Sequence, residues 1–168
     1  MLLSEAEVDL PVAGDFATFY RREFRSIRAL AWALTGDAGT AEDVAQEAFL
    51  RAHSHWDRVA RLDVPGAWVR RVALNLATSV LRRRGRELRA LVRWQARPSE
   101  AELAPHDEEF WAAVRSLPRG QASALVLHYY EDLPLSDIAA VMGIAEGTVK
   151  AHLHKGRRAL ARKLGEQR

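Results

Sequence analysis

Basic and polar side chains recur at helical spacing near the carboxyl end of the chain. Lys150, His154 and Arg158 are four residues apart, Ala151 lies on the same side, and Arg157 is beside them. A four-residue spacing places side chains on one face of a helix. Such a face suits contacts with phosphates in a DNA major groove. The alternative is an ordinary helical hairpin with a solvated basic face.

The segment that would position this face, residues 133–154, has the pattern of a helix-turn-helix. Ser136 is expected to cap a short first helix, and Gly143 to end it in a left-handed conformation. Ile144 is expected to be buried in the turn. A second helix would run from near Glu146 to about Lys163. Its predicted buried positions are Val149, Leu153, Gly156 and Leu160.

Composition allows one domain or two small ones in 168 residues. The net charge is only +3, but arginines cluster at residues 82–97, basic residues from Lys150 onward, and acids at residues 100–109. This uneven distribution favours a nucleic-acid partner. The absence of cysteine excludes disulfides and thiolate chemistry. No stretch resembles a signal peptide or a membrane helix, so we expect a cytoplasmic protein.

Two helices are predicted in residues 15–55, separated by a break at residues 36–39. Thr40 and Asp43 suggest a capping box for the second, over residues 41–55. Its apolar face would be Ala45, Ala48, Phe49 and Ala52. Its opposite face carries Asp43, Gln46, Glu47 and Leu50. That face is either plain solvated surface or a docking site for another helix.

A third helix should begin at Pro65, which suits a first helical turn, and close at residues 82–86. Its predicted core face is Trp68, Val72, Leu76 and Val80, with Val69 and Ala73 alongside. A second stripe carries Arg71, Asn75, Thr78 and Arg82. These side chains suit contacts with phosphates and bases. Equally, the helix could be solvated, with arginines near its negative end.

Neither a metal site nor a catalytic site is predicted. His53 and His55 have no third ligand nearby, and Trp56 is expected to be a buried aromatic. The acids Asp37, Glu42, Asp43 and Asp57 are scattered and form no two-metal pattern. We therefore expect a protein that is not an enzyme and needs no cofactor or metal.

A change in composition divides the chain. Residues 12–86 form one predicted domain, residues 87–106 a linker and residues 107–166 a second domain. The second domain begins with helices over residues 107–116 and 121–130, the latter burying Ala122, Leu125, Val126 and Tyr129. With no alternating strand pattern, the expected fold is all-α. It consists of two small helical domains joined by a flexible linker, the second containing the helix-turn-helix.

Several motifs, in order along the chain, resemble those of bacterial sigma factors of the extracytoplasmic-function (group IV) sigma-70 family. They are residues 34–37 (LTGD), 41–52 (AEDVAQEAFLRA), 68–75 (WVRRVALN), 117–118 (LP), 138–139 (IA) and 146–160 (EGTVKAHLHKGRRAL). The resemblance covers roughly residues 16–164. It implies a factor that binds core RNA polymerase and directs promoter-specific initiation.

The resemblance also implies roles for individual residues. Docking on the β′ clamp helices of core polymerase would involve Asp43, Gln46, Glu47, Leu50 and Arg51. Minus-ten DNA would be bound by Trp56, Asp63, Trp68, Arg71, Asn75, Thr78, Arg82 and Arg83, with a flipped base held by residues 56–64. Acidic linker residues, Glu100, Glu102 and Asp107, could mimic nucleic-acid charge near the RNA path.

The second domain would bind the minus-thirty-five element through Arg119, Thr148, Lys150, Ala151, His152, His154, Lys155 and Arg158. The same resemblance implies contact with the polymerase β flap and regulation by an anti-sigma factor. Ala145 departs from the Ser or Pro common in the family, so the recognition helix lacks a side-chain cap. The alternative function is a stand-alone helix-turn-helix regulator, although no dimerisation helix is evident.

Overall fold

The computed structural model describes residues 15–90 and 108–165, and no residue in these ranges belongs to a β-strand. Helices α1 (Phe16–Thr35), α2 (Ala38–Ser54), α3 (Trp56–Val59) and α4 (Pro65–Ala90) form the first domain. Helices α5 (Glu108–Arg115), α6 (Arg119–Leu125), α7 (Leu135–Met142) and α8 (Glu146–Gly165) form the second. A π-helix, Val126–Tyr130, continues α6. The all-α prediction is confirmed, whereas most of the predicted linker lies outside the described residues.

Aspartates begin the first two helices. The Asp15 carboxylate accepts a hydrogen bond from the Ala17 amide, and the Asp37 carboxylate accepts one from the Thr40 amide at 2.8 Å. The predicted capping box at Thr40 and Asp43 is therefore wrong, because α2 starts earlier and Thr40 lies in its buried first turn. Hydrogen bonds from the Thr40 hydroxyl and amide lower the pKa of Asp37 despite partial desolvation, and Arg84 adds to this.

The buried face of α4 differs from the predicted one by about one residue. Val69, Ala73 and Ala77 are fully or almost fully buried, whereas Trp68, Val72 and their helical successors Leu76 and Val80 are half-buried at its edges. Small side chains let α4 approach α1 and α2 closely, so the larger residues flank the contact. The helix also continues to Ala90, beyond the predicted closure at residue 86.

Aromatic rings fill one end of the first domain. Trp56 is half-buried rather than buried, and its ring lies 5.2 Å from that of Phe16 and 5.0 Å from that of Phe19. Phe49, at 2% exposure, contacts the same group from α2. Edge and tilted arrangements of this kind are favourable beyond the burial of area. They anchor α3 and fix the loop that leads into α4.

The helix-turn-helix is present, but Ser136 does not cap it. Helix α7 begins after Pro134 with no side-chain cap, and the Ser136 hydroxyl bonds its neighbour Asp137 instead. Gly143 ends α7 at φ 68°, as predicted. Ile144 is half-buried in the turn rather than buried. Because α7 already begins at Leu135, Ser136 lies inside its first turn and Pro134 occupies the cap position.

Helix α8 buries Val149, Leu153 and Gly156, as predicted, while Leu160 is half-buried. A Cβ at Gly156 would lie 3.0 Å from Leu125 Cδ1, so the glycine permits a close crossing with α6.

The π-helix changes which side chains of residues 126–130 are buried. Leu127 is fully buried and Tyr129 is 60% exposed, because a π turn holds more residues and rotates those that follow.

The domains pack directly against each other, which the sequence did not indicate. Their buried side chains form one continuous apolar cluster, and Trp32 of α1 meets Trp111 of α5 with ring centroids 5.9 Å apart. The Arg115 guanidinium lies 5.4 Å from the Trp32 ring and beside Gly36, where α1 ends. A cation at that position is favoured by the helix dipole as well as by the ring.

Candidate nucleic-acid and polymerase interfaces

The outer face of α8 is open to solvent. Lys150, Ala151, His154, Lys155 and Arg158 are all exposed, opposite the buried positions at Val149 and Leu153. Thr148, in the first turn, and Arg119, at the start of α6, are exposed too. The result is a basic surface along a helix of 20 residues, which can contact phosphates and base edges together.

His152 does not share this face. It is half-buried, and a Cβ at Gly120 would lie 2.6 Å from its Cε1 atom. The imidazole thus lies between α8 and the first turn of α6, where it packs the two helices. Similarly, the Arg157 guanidinium lies 5.4 Å from the Tyr129 ring and is turned towards the π-helix. The sequence alone does not show that these two residues point away from the exposed stripe, because that depends on which face of α8 is buried.

The polar stripe of α4 is also present. Arg71, Asn75 and Arg82 are exposed and Thr78 is half-buried. Arg83 is exposed and lies 3.7 Å from Glu87, on a different side from Arg82 by its position in the helix. Arg84 turns towards the start of α2 and bonds Thr40. Of the consecutive arginines, therefore, only some are available to a ligand of this stripe.

The loop before α4 carries exposed apolar and acidic side chains. Leu62 is 43% exposed, Val64 57% exposed, and Asp63 between them is exposed. Trp68 is half-buried, with its ring 6.5 Å from that of His55. A cavity of about 140 Å³ lies nearby and is bordered by Trp56 and Arg22. This region can present both apolar and charged groups to an unpaired base.

The exposed face of α2 has a different chemistry. Asp43, Gln46, Leu50 and Arg51 are exposed, and the half-buried Glu47 accepts a bond of 2.7 Å from Arg51 Nε. Leu50 is 64% exposed and borders a cavity of about 270 Å³. An exposed leucine beside carboxylates suits a protein partner better than a nucleic acid, because the carboxylates would repel phosphates.

The second domain contains an apolar groove that was not predicted from the sequence. Its volume is about 330 Å³, and it lies between α5, the α6 segment and α8. The lining residues are Phe110, Trp111, Val114, Leu125, Val126, Tyr129, Arg157, Leu160, Ala161 and Leu164. The sequence feature that could have indicated this groove is the pair Leu160 and Leu164, four residues apart on α8 and beyond its basic face. Grooves of this kind accept the apolar side of a helix.

A polar cluster joins the domains. The Glu131 carboxylate, 4% exposed, lies 2.9 Å from Arg70 Nε and accepts a bond of 2.8 Å from the Ser26 hydroxyl. Arg70 Nη2 lies 3.3 Å from Glu23 of its own domain. Burial, and secondarily the charge of Glu131, raises the pKa of Tyr130. None of these residues was singled out from the sequence.

In residues 15–90 and 108–165, no group of three or more His, Asp or Glu side chains is placed to hold a metal ion. No helix in the same ranges is long and apolar enough to cross a membrane.

Both domains match known protein families. Residues 19–87 match the family described as "Sigma-70 region 2", and residues 107–160 match "Sigma-70, region 4". The two matches lie on the two helical domains and on either side of the interval between them.

Known proteins give the same result. Sigma factor SigL of Mycobacterium tuberculosis is 35% identical over 142 residues, which is 79% of each chain. The probable sigma factor RfaY of Xanthomonas campestris is 33% identical over 146 residues, 79% of this chain. This chain covers only 36% of RfaY.

A solved structure agrees as well. The sigma factor RpoE of Bartonella quintana, in complex with the anti-sigma factor NepR, superposes with a TM-score of 0.75. The alignment has 26% identity and covers 92% of this chain and 99% of that one. With both regions matched and the architecture shared, this chain belongs to the extracytoplasmic-function family of RNA polymerase sigma factors.

Proposed function

We propose that this protein joins core RNA polymerase, places it on two promoter elements and directs initiation there. It acts by binding rather than by catalysis, in the cytoplasm, where the polymerase works. The observation that carries the proposal is the division of surfaces by chemistry. A basic face lies on α8, a polar stripe on α4 and an acidic, leucine-bearing face on α2.

The proposed role of α8 is to bind duplex DNA at the minus-thirty-five element. Lys150, Lys155 and Arg158 supply charge for phosphates, with His154 as a donor or acceptor towards bases. Ala151 offers only an apolar contact, such as one with a thymine methyl group. Arg119 and Thr148 flank this surface and would fix its position through phosphates.

The proposed role of α4 and its preceding loop is to hold the opened minus-ten strand. Arg71, Asn75, Thr78 and Arg82 can bond phosphates and base edges along the stripe. Extruding a base costs a few kcal/mol, so the loop must offer compensating contacts. Asp63 and the exposed apolar side chains beside it are placed to do so. Trp56, packed among aromatic rings, would shape this loop rather than stack on a base.

Two surfaces are proposed for polymerase. The α2 face, with Asp43, Glu47 and Leu50, would dock on the β′ clamp helices. The apolar groove between α5 and α8 would receive an apolar segment of the β flap. Both assignments account for exposed apolar groups that DNA contacts leave unexplained.

We further propose an anti-sigma partner for this protein. The solved RpoE structure is a complex with such a factor, and it shares this architecture. Isolation of the untagged chain from its native cells tests the proposal. A partner other than polymerase should co-purify, and repeated isolation with polymerase alone would refute it.

The main experiment mixes purified protein, core RNA polymerase and a pool of random upstream DNA, and sequences the transcripts. We expect starts that require this protein and share two spaced sequence elements. Binding to duplex DNA without core binding or new starts would instead indicate a stand-alone regulator.

Matched variants separate the two activities. Lys150→Ala should weaken duplex binding and reduce the salt slope by about 1, because one phosphate contact is lost. Lys163→Ala, exposed at the far end of the same helix, should change neither. Glu47→Ala should reduce core affinity and spare DNA binding, with exposed Glu109→Ala as its control. Equal core affinity for Glu47→Ala would refute the docking assignment.

A further inference from the structure

His152 lies between helices α8 and α6 rather than on the basic face of α8. Its side chain is half-buried, and a Cβ at Gly120 would lie 2.6 Å from the imidazole Cε1 and 2.8 Å from Nε2. The ring therefore occupies the space that a side chain at position 120 would take. A residue that the family motifs place among the DNA contacts is thus directed at its own domain.

This contact lies beside residues proposed to bind phosphates. Gly120 follows Arg119, which is exposed at the start of α6. On α8, Thr148 precedes His152 by four residues and Lys155 follows it by three, so both lie on the same side of the helix. Both of these side chains are exposed. The imidazole therefore connects the first turn of α6 to the phosphate-binding part of α8.

A second contact between the same two helices lies one turn further along α8. A Cβ at Gly156 would lie 3.0 Å from Leu125 Cδ1 and 3.4 Å from Gln121 Cβ. Leu125 is about 9 Å from Arg119 along the axis of α6. Helices that touch at one point can pivot there, and a pivot of about 10° would move Arg119 by about 1.5 Å. A hydrogen bond to a phosphate does not survive a change of that size.

We propose that His152 is a positioning residue, which acts through Gly120 to fix Arg119 relative to the phosphate-binding face of α8. Helix α6 begins after Pro118 with no side-chain cap, so packing has to hold its first turn. The imidazole supplies this packing and reads no base. The inference rests on the proposed binding of duplex DNA by the second domain, and it names the residue that aligns α6 and α8 for that binding.

The first test measures the contact without DNA. Gly120→Ala introduces a Cβ where the ring lies, whereas the space is free in a His152→Ala background. The change in melting temperature caused by Gly120→Ala should therefore be more favourable by about 2–4 °C in that background. Gly147→Ala, where a Cβ would have no neighbour within 4 Å, should cause the same change in both backgrounds. Equal effects of Gly120→Ala in the two backgrounds would overturn the contact.

The second test measures binding of the full chain to a random-sequence pool of short duplex DNA at several salt concentrations. The assays are run at pH about 8.5, where histidine is ordinarily uncharged, so loss of the imidazole removes no charge. His152→Ala should nevertheless weaken binding several-fold and lower the salt slope by about 1, as Arg119→Gln does. In the His152→Ala background, Arg119→Gln should have little further effect.

Matched variants separate positioning from other roles. Gly120→Ala displaces the ring without removing it and should lower the slope as His152→Ala does. His152→Phe keeps a planar ring against Gly120 and should retain the wild-type slope. Lys163→Ala, exposed at the far end of α8, should change nothing, and circular dichroism must show the same helix content in every variant. A wild-type slope in His152→Ala would overturn the inference.

Sequencing of the bound DNA distinguishes positioning from base recognition. His152→Ala should select the same sequences as wild type, whereas His154→Ala, on the exposed face, should change them. A changed selection in His152→Ala would overturn the inference by making His152 a base contact.

Failure of the proposed function would look different. If wild type binds no duplex DNA, the assignment of α8 to promoter DNA fails together with the role of His152, while the melting temperatures still report the contact with Gly120. If wild type binds duplex DNA with a slope that His152→Ala leaves unchanged, the proposed function stands and only the positioning role fails.

Discussion

Helices α4 and α8 both carry a polar stripe suited to nucleic acid, but their surroundings differ. On α8 the exposed residues face solvent, and its buried side packs against α5, α6 and α7 of the second domain. On α4, Arg71 meets Gly143 of the other domain and its neighbour Arg70 is paired with Glu131. The stripe on α8 is therefore accessible along its length, whereas the stripe on α4 is partly covered by an intramolecular contact.

The contrast also shows how two domains can share stability while presenting separate surfaces. Their buried side chains are continuous, so the packing does not end at the domain boundary. Interfaces between domains of one chain are usually smaller and more polar than a core. Here apolar contacts and a buried ion pair occur together, and substitutions can measure how strongly each region depends on the other.

The largest effect is expected at Leu127, fully buried in the π-helix within the shared cluster. Leu127→Ala should lower the free energy of unfolding by about 2–5 kcal/mol, because a cavity adds to the lost burial. If the domains unfold together, thermal circular dichroism will still show a single transition, at lower temperature. Leu62→Ala, at a 43% exposed position, should cost less than about 0.5 kcal/mol. Two separated transitions would contradict a shared core.

Next in size is Gly143→Ala, at the contact between α7 and Arg71. A side chain at φ 68° costs about 1–2 kcal/mol, and the new Cβ would displace the Arg71 guanidinium. Chemical denaturation should detect the loss. The matched change is Gly147→Ala, where a Cβ would have no neighbour within 4 Å. That variant should be neutral or slightly more stable, since alanine favours helix. Equal losses would mean that neither conformation nor contact matters at Gly143.

Substitutions at the amino-terminal ends of helices should change the free energy of unfolding by less, and the change should depend on pH. Asp37→Ala should cost about 1 kcal/mol through loss of a cap, whereas Ser136→Ala should cost almost nothing. The pKa of Asp37 is lowered on folding, chiefly by the Thr40 hydroxyl. Its contribution is therefore complete above the ordinary pKa of an aspartate and is lost as the pH falls through the lower folded value.

The control for this pH dependence is Asp37→Asn, which can still cap α2 but does not titrate. Unfolding free energies measured from neutral pH down to pH about 3 should show a smaller decline for this variant than for wild type. The same slope in both would contradict a contribution from Asp37.

The smallest stability effect is expected on the open face of α8. Lys150→Ala should change the free energy of unfolding by less than about 0.5 kcal/mol, because the side chain is exposed. Denaturant titration tests this directly. A loss of stability as large as that of Gly143→Ala would show that the outer face of α8 also makes contacts within the molecule. The contrast with α4 would then disappear.

Sequence patterns predicted where the helices lie better than they predicted which face of each helix is buried. The helix-turn-helix followed from Gly143 and the spacing of Val149 and Leu153, and both were confirmed. The phase of α4 was off by about one residue, because alanines at close helix crossings give a weak hydrophobic signal. The predicted cap at Ser136 was wrong, since α7 begins at Leu135 and Pro134 takes the cap position. The face of the π-helix could not be predicted, because its period differs from that of an α-helix.

By itself, the sequence determined the all-α class, the helix-turn-helix and the ordered motifs that place the chain among sigma factors. These depend on local spacing and on residue types that neighbours in the chain can specify. Only the tertiary structure decided which predicted residues are accessible. It turned His152 towards Gly120, brought Arg71 to Gly143 and joined Arg70 to Glu131. The two residues of each pair lie far apart in the sequence. Local periodicity predicts which face of a helix is buried, but it cannot predict which distant residue that face will contact.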